Sequence, residues 1–385
     1  MKKILALLSV ITLAIMMTGC GQVSNNDAGT SVSKAASNNL LFNVTENRWY
    51  SATTGATANY VGQAACLICH LTIGEEFQKS GTLSSATITA NLHYSQGTSH
   101  TQSPCGECHS TGWNQVSGVS AASPTTNATS GVNLQRAQCE SCHGPGSLHI
   151  TGSGTAKKSL INRIANAKSS CYRCHFGYKE QVTSLEVATA SVTDLDLRAA
   201  QVDGVRSLRS ARMNQARMLK GELGYEYSGE TYTSTGHDLS ISNSCVVCHM
   251  QYNNTSPRTQ KARHDSQEVN SGVCASCHNS SIKESAQDEI KALMVQLGGT
   301  VSSTNLLPSS RGYNGTNGLI VEWASANSII AASANTAATD DPAIVKLKRA
   351  VYNYCYVAYD KSFGIHNFAY AKKLLQDAIS ELTIP

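Results

Sequence analysis

Large aromatic side chains are scarce in this sequence: five Phe and three Trp stand among 385 residues, and all aromatics together make up 6%. That length suffices for two or three domains, yet the rings that ordinarily fill cores of that size are few. Buried apolar mass has to come from elsewhere. No cluster or stripe of Lys and Arg stands out and the formal net charge is only +4, so a nucleic-acid-binding reading has no support. Long apolar runs are also missing after the first, Ile4 to Met17. Nothing later approaches the roughly 20 residues that a membrane-spanning helix needs.

Lys2 and Lys3 precede that first run, and Thr18-Gly19-Cys20 follows it. A basic start, an apolar stretch and a small-residue exit describe a secretory signal peptide over residues 1–19. The exit resembles the bacterial lipoprotein box, and the resemblance makes Cys20 the lipidation site and a lipid membrane its partner. An ordinary signal peptide cut nearby and a short membrane anchor are the other readings. Residues 20–48 are rich in Ser, Asn, Ala and Gly and read as a flexible tether with a reach of about 30 Å. Lipoproteins retained at the inner membrane usually carry Asp after the acylated Cys. Gly21 stands there, so the expected place is the outer membrane, on the periplasmic or cell-surface face.

What the chain has in abundance is cysteine, 14 in all. Twelve fall into six copies of one pentapeptide: Cys66-Leu-Ile-Cys69-His70, Cys105-Gly-Glu-Cys108-His109, Cys139-Glu-Ser-Cys142-His143, Cys171-Tyr-Arg-Cys174-His175, Cys245-Val-Val-Cys248-His249 and Cys274-Ala-Ser-Cys277-His278. C-x-x-C-H is the attachment signature of c-type haem. Two thiols three residues apart lie on one side of a helical turn, where they reach the two vinyl groups of one porphyrin, and the next residue reaches the iron. Zinc ribbons and disulfide frameworks also use paired cysteines. Neither demands His directly after the second Cys in all six copies. Six covalently bound haem c groups are therefore expected, and two propionates on each would turn the small positive charge negative. Porphyrins would also supply the missing buried apolar mass.

Each iron has a second axial position, and its occupant decides between electron transfer and catalysis. Outside the pentapeptides the chain has six more histidines: His93, His100, His149, His237, His264 and His366. Six for six irons suggests His on both sides throughout, a ligation that leaves no open site for a substrate. His100, His237 and His264 each precede a pentapeptide by ten residues or fewer, and His149 follows His143 by six; His93 has the least positional support. Methionine is the other candidate ligand, but Met250 adjoins His249 and cannot reach the opposite face of the same haem. Met213 and Met218 lie in a helix-like stretch where packing is the default role. Cys355, outside every pentapeptide, reads as a buried helix cysteine.

The motifs divide unevenly, four between residues 66 and 175 and two between 245 and 278. That suggests a tetrahaem module over 49–180, a helical connector over 181–230 and a dihaem module over 231–385 that ends in two helices. Apolar spacing places those helices at Ile344 to Tyr359 and Ala369 to Leu382, with Asp340-Asp341-Pro342 as a start signal. The stretches 114–134 and 299–335 are rich in Ser, Thr, Asn, Gly and Ala and read as surface loops or inserted flaps.

Three segments carry a family likeness: Tyr60-Val61-Gly62 leading into the first motif, Ser110-Thr111-Gly112-Trp113 after the second, and Gly144-Pro145-Gly146 after the third with His149 close behind. In these the N-terminal part resembles the cytochrome c554 family. The resemblance implies that His149 ligates the haem on Cys66 and Cys69. That family usually has a distal His about a dozen residues after the first motif; Phe77-Gln78-Lys79-Ser80-Gly81-Thr82 has none. Either His93 or His100 takes that role, or one iron lacks the ligand. Gly236-His237 before the fifth motif, His264 before the sixth and Gly364-Ile365-His366-Asn367 near the end resemble the multihaem nitrite reductase and octahaem cytochrome group, where the last His is a distal ligand. No C-x-x-C-Lys occurs, which argues against nitrite reduction.

The expected fold is mainly α with much irregular loop, a multihaem cytochrome c fold organised around packed haems. The expected role is electron transfer, not catalysis, with other c-type cytochromes or an outer-membrane electron conduit as partners, in anaerobic respiration or extracellular metal reduction. Two alternatives stay open. One is a reductase of a small nitrogen or sulfur oxyanion or of nitric oxide, with one open haem. The other is a homo-oligomeric filament in which one subunit lends a His to the next.

Overall fold

A computed structural model describes residues 40–43, 45–78, 106–120, 122–123, 125–135, 137–153, 160–161, 171–172, 174–175, 214–241, 244–250, 264, 269, 271–279, 281–299, 317–329 and 341–383. The fold is mainly α, with one small sheet and much irregular chain. It divides into two compact units, the first made of Met1–Cys174 and Ile241–Cys277, the second of His175–Ser240 and His278–Pro385.

The first unit opens with strands β1 (Leu40–Asn43), β2 (Arg48–Ser51) and β3 (Thr57–Ala58), antiparallel in that order, with Leu40 opposite Ser51 and Trp49 opposite Ala58. Asn43 turns the chain between the first two, its Oδ1 accepting from the N–H groups of Thr45 and Glu46, the Asx device that makes Asn a turn former. Helix α1 (Gln63–Gln78) follows, then the short helices α2 (Gly106–His109), α3 (Cys139–His143) and α4 (Ser147–Thr151). A small core of Tyr60, Trp113, Val119 and Leu134 lies beside them. It explains two of the family-like residues. A Cβ on Gly106 would stand 2.2 Å from the Trp113 ring, so the second pentapeptide carries glycine because the tryptophan lies on it. The loop after Trp113 is anchored internally: buried Asn127 donates to the Gly118 carbonyl and accepts from the N–H groups of Thr129 and Ser130. Helix α7 (Ser244–His249) and the 3₁₀ turn Ser271–Ser276 pack together in the same unit.

The second unit is helical: α5 (Gln215–Lys220), α6 (His237–Ser240), α8 (Ile282–Gly298), α9 (Leu319–Ala326), α10 (Pro342–Asp360) and α11 (Phe368–Thr383). Asp341 starts α10 by accepting from the Ala343 N–H at 2.9 Å, with Pro342 in the first helical turn, the favoured pairing of an acidic cap with proline. Four tyrosines, Tyr352, Tyr354, Tyr356 and Tyr370, are among its largest fully buried side chains. Tyr352 and Tyr356 send their hydroxyls to the carbonyls of Leu223 and Glu222, and Tyr370 donates to Glu226. Burying a ring is favourable only when its hydroxyl finds an acceptor, and the loop after α5 supplies these. Tyrosine thus provides aromatic mass that Phe and Trp do not. Met218, Met294 and Cys355 are buried in the same core. One sequence expectation fails here: residues 299–335 were expected to be loop, yet α9 lies within them with Ile320 and Ala324 buried. Leu319-Ile320-Val321 and Trp323-Ala324 give a short apolar helix whose flanking polar stretches mask it in composition. Among the described residues no helix is long and apolar enough to cross a membrane.

Candidate functional site

The described parts of the pentapeptides are mostly helical. The first lies in α1, which breaks at His70 (φ −119°, ψ 36°). The second and third form α2 and α3, the fifth lies in α7, and the sixth runs through the 3₁₀ turn, while Cys171, Tyr172, Cys174 and His175 of the fourth are helical. No described cysteine is in a disulfide. Cys20, His93, His100 and Cys105 lie outside the described residues.

Three of the histidines outside the pentapeptides face a pentapeptide histidine. Ring centres are 6.3 Å apart for His70 and His149, 6.3 Å for His143 and His264, and 6.1 Å for His237 and His278. These separations have a chemical meaning. A first-row metal holds an imidazole nitrogen at about 2.0 Å, and that nitrogen lies about 1.1 Å from its ring centre, so two imidazoles on opposite sides of one iron have centres about 6.2 Å apart. Rings in van der Waals contact lie closer, and rings joined by nothing have no reason to repeat one distance. Among the described residues no three His, Cys, Asp or Glu converge on one point; the imidazoles come in twos, the number of axial positions on a porphyrin.

Ring orientation agrees. Imidazole Nδ1 of His175 lies 3.0 Å from Gln215 Oε1, that of His237 3.1 Å from the Ile365 carbonyl, and that of His366 2.6 Å from Asp360 Oδ1. Each acceptor draws the proton to Nδ1 and leaves Nε2 as the lone-pair nitrogen, the outer-shell arrangement of metal-bound histidines. Burial lowers the pKa of His237 from its ordinary value, disfavouring the protonated ring. Buried Asp360 also accepts from the Ser362 hydroxyl, which in turn accepts from the His366 N–H at 3.1 Å. Sequence reasoning did not single out Asp360 or Gln215: one is six residues before its histidine, the other forty after, and neither spacing carries a signal.

Cysteines of different motifs are also neighbours. The Cys66 thiol is hydrogen-bonded to Cys139, which raises the pKa of Cys66 and lowers that of Cys139. Cys171 is bonded in the same way to Cys245, and burial with the neighbouring Cys274 and Cys245 pushes Cys248 up to about 11. Apolar side chains stand exposed at these places. Ile68 beside Cys69 is 83% exposed and Leu239 beside His237 is 89% exposed, with Leu71 and Ile150 exposed next to His70 and His149. A porphyrin is the apolar plate that such a rim would cover, so thiols, imidazoles and surroundings all fit covalent haem.

Glu140, inside the third pentapeptide, has a different task. It is buried, and its carboxylate accepts from the N–H groups of Val61 (3.0 Å), Gly62 (2.8 Å) and Gly146 (2.7 Å). It thereby ties the approach to the first motif and the Gly-Pro-Gly turn to the third. Burial pushes its pKa up and the three N–H groups pull part of that back. Glu140→Gln sets an amide N–H against a backbone N–H and is expected to cost about 2 kcal/mol, read as a lower thermal midpoint of the haem-loaded protein with the haem count unchanged.

Residues 65–144 match the family described as cytochrome c554 and c-prime. The match covers about a fifth of the chain and supports a c-type cytochrome. It spans the first three pentapeptides, the Gly106–Trp113 contact and Glu140. A match to this family is what an electron-transferring segment with covalently bound haem c would give. No curated protein and no solved structure matches the chain.

Proposed function

We propose that this c-type cytochrome is a hexahaem electron carrier, anchored by acylated Cys20 to the outer membrane and exchanging electrons with other c-type cytochromes or a membrane electron conduit in anaerobic respiration or extracellular metal reduction. The observation that carries the reading is the repeated histidine spacing of 6.1–6.3 Å beside three different pentapeptides. Irons held by His on both sides exchange electrons without offering a coordination site. His366, oriented by Asp360, supplies a fourth imidazole of the same character, and His93 and His100 complete the distal set. The test is intact mass with a pyridine haemochrome count on protein made with a haem-maturation system. Six haems add about 3.7 kDa to the polypeptide; a mass equal to the bare lipidated chain rejects the proposal.

The ring planes give a spectroscopic prediction. They meet at 24° for His70 and His149 and at 32° for His143 and His264, but at 77° for His237 and His278. Near-parallel imidazoles split the iron d orbitals strongly, and crossed imidazoles leave two of them close in energy. Electron paramagnetic resonance of the oxidised protein is therefore expected to show ordinary rhombic low-spin signals for the first and third haems. The sixth should give a highly anisotropic low-spin signal that His237→Ala removes.

A further inference from the structure

We propose that Asp360 tunes the haem that His366 ligates: its buried carboxylate, bonded to the imidazole Nδ1, strengthens the ring as an iron donor and lowers the reduction potential of that haem. The inference rests on the haem-carrying reading above and deepens it, because the count of ligands alone makes every axial imidazole alike.

A difference in acceptor carries it. Nδ1 of His175 and of His237 meets a neutral oxygen, Gln215 Oε1 at 3.0 Å and the Ile365 carbonyl at 3.1 Å. Nδ1 of His366 meets a carboxylate oxygen at 2.6 Å, the shortening that a charged acceptor brings. The Asp360 side chain has no exposed surface, so water and salt screen its charge little. Its other oxygen accepts from the Ser362 hydroxyl, which leaves Oδ1 for the ring. The backbone is bent to make this contact. Lys361, Phe363 and Gly364 take φ of 62°, 50° and 91°, an uncommon conformation for the first two, and the Ser362 carbonyl between them accepts from Gln287 Nε2 of α8 at 3.0 Å. The turn thereby folds His366 back onto the last residue of α10 at a conformational cost. A carboxylate that draws the Nδ1 proton towards itself raises the basicity of Nε2. A stronger donor, with a fixed negative charge behind it, favours ferric over ferrous iron.

Asp360→Asn keeps an accepting oxygen for Nδ1 and removes the charge. The experiment is a redox titration of the haem-loaded full chain followed by electron paramagnetic resonance, in wild type, Asp360→Asn and His366→Ala. In Asp360→Asn the low-spin signals should keep their wild-type amplitudes. The signal missing from His366→Ala should be the one whose midpoint rises, by about tenfold in the one-electron equilibrium constant, or about 59 mV, while the other midpoints move by less. Unchanged midpoints overturn the proposal. So does a high-spin haem in Asp360→Asn, which would mean that the carboxylate only holds the ring in place. The two proposals fail separately. Absence of covalent haem by mass removes both, whereas a His366→Ala variant that carries every haem and loses no low-spin signal removes only this one.

Discussion

His264→Ala is expected to convert one low-spin haem, that of Cys139 and Cys142, into a five-coordinate high-spin haem. On the proposed assignment His264 is the imidazole opposite His143, with ring centres 6.3 Å apart. Alanine removes the ligand without touching either thioether, so the haemochrome count and mass per chain should stay at the wild-type value while a high-spin ferric signal appears in proportion to one haem. The ferrous variant should bind one carbon monoxide where the wild type binds none at that iron. Loss of the second imidazole also weakens stabilisation of the ferric state, so the midpoint of this haem should rise by on the order of 0.1 V, a fraction of the roughly 0.8 V range over which axial ligands set haem potentials. His149→Ala should act likewise on the first haem. If carbon monoxide binds equally to wild type and variant, His264 is not a ligand. If the wild type itself takes one equivalent, an iron is already open and the reductase alternative gains ground.

That pairing also shows what the sequence made legible. The pentapeptides, the family likeness of the first three and the helical start at Asp341-Pro342 could all be read directly, because each is local: the chemistry of a thioether turn or a helix cap is set by residues a few positions apart. The terminal helices were legible too, since α10 and α11 extend the expected ranges by only a residue or two at each end. Pairing was legible only for His149 with the first motif, through the family likeness. His143 and His264 are separated by more than a hundred residues, and only the folded chain brings them face to face. The same holds for the cysteine contacts between motifs and for Glu140, whose glutamate in a pentapeptide looks like an arbitrary variable position until its three backbone donors are seen. Helix α9 was hidden for another reason: its apolar run is too short to show helical periodicity among the polar residues around it.

The largest structural penalty is expected at a residue that ligates nothing. In Gly364-Ile365-His366-Asn367 the asparagine is fully buried. Its Oδ1 accepts from the N–H groups of Thr235 (3.0 Å) and Tyr370 (3.3 Å), and its Nδ2 donates to Ser234 Oγ (3.0 Å) and the Leu219 carbonyl (3.5 Å). One side chain therefore starts α11, closes the end of α5 and fixes the segment that leads into His237. Gly364 allows the approach: it adopts φ +91°, and a Cβ there would stand 2.7 Å from Ile290 Cγ1. The Ile365 carbonyl in turn meets His237 Nδ1, so the tetrapeptide orients two histidines, one by its backbone and one through Asp360. Asn367→Ala breaks four hydrogen bonds, those with Tyr370 and Leu219 buried and those with Thr235 and Ser234 half-buried, at about 1 kcal/mol each, about 4 kcal/mol in all, which should lower the thermal midpoint by roughly 10 °C for a unit of this size. Far-UV circular dichroism of the haem-loaded variant measures that loss. The same variant should weaken the highly anisotropic signal assigned to the His237 and His278 pair while the rhombic signals of the other two pairs persist. A variant as stable as wild type, or one that loses all low-spin signals together, would mean that Asn367 does not hold His237 in place.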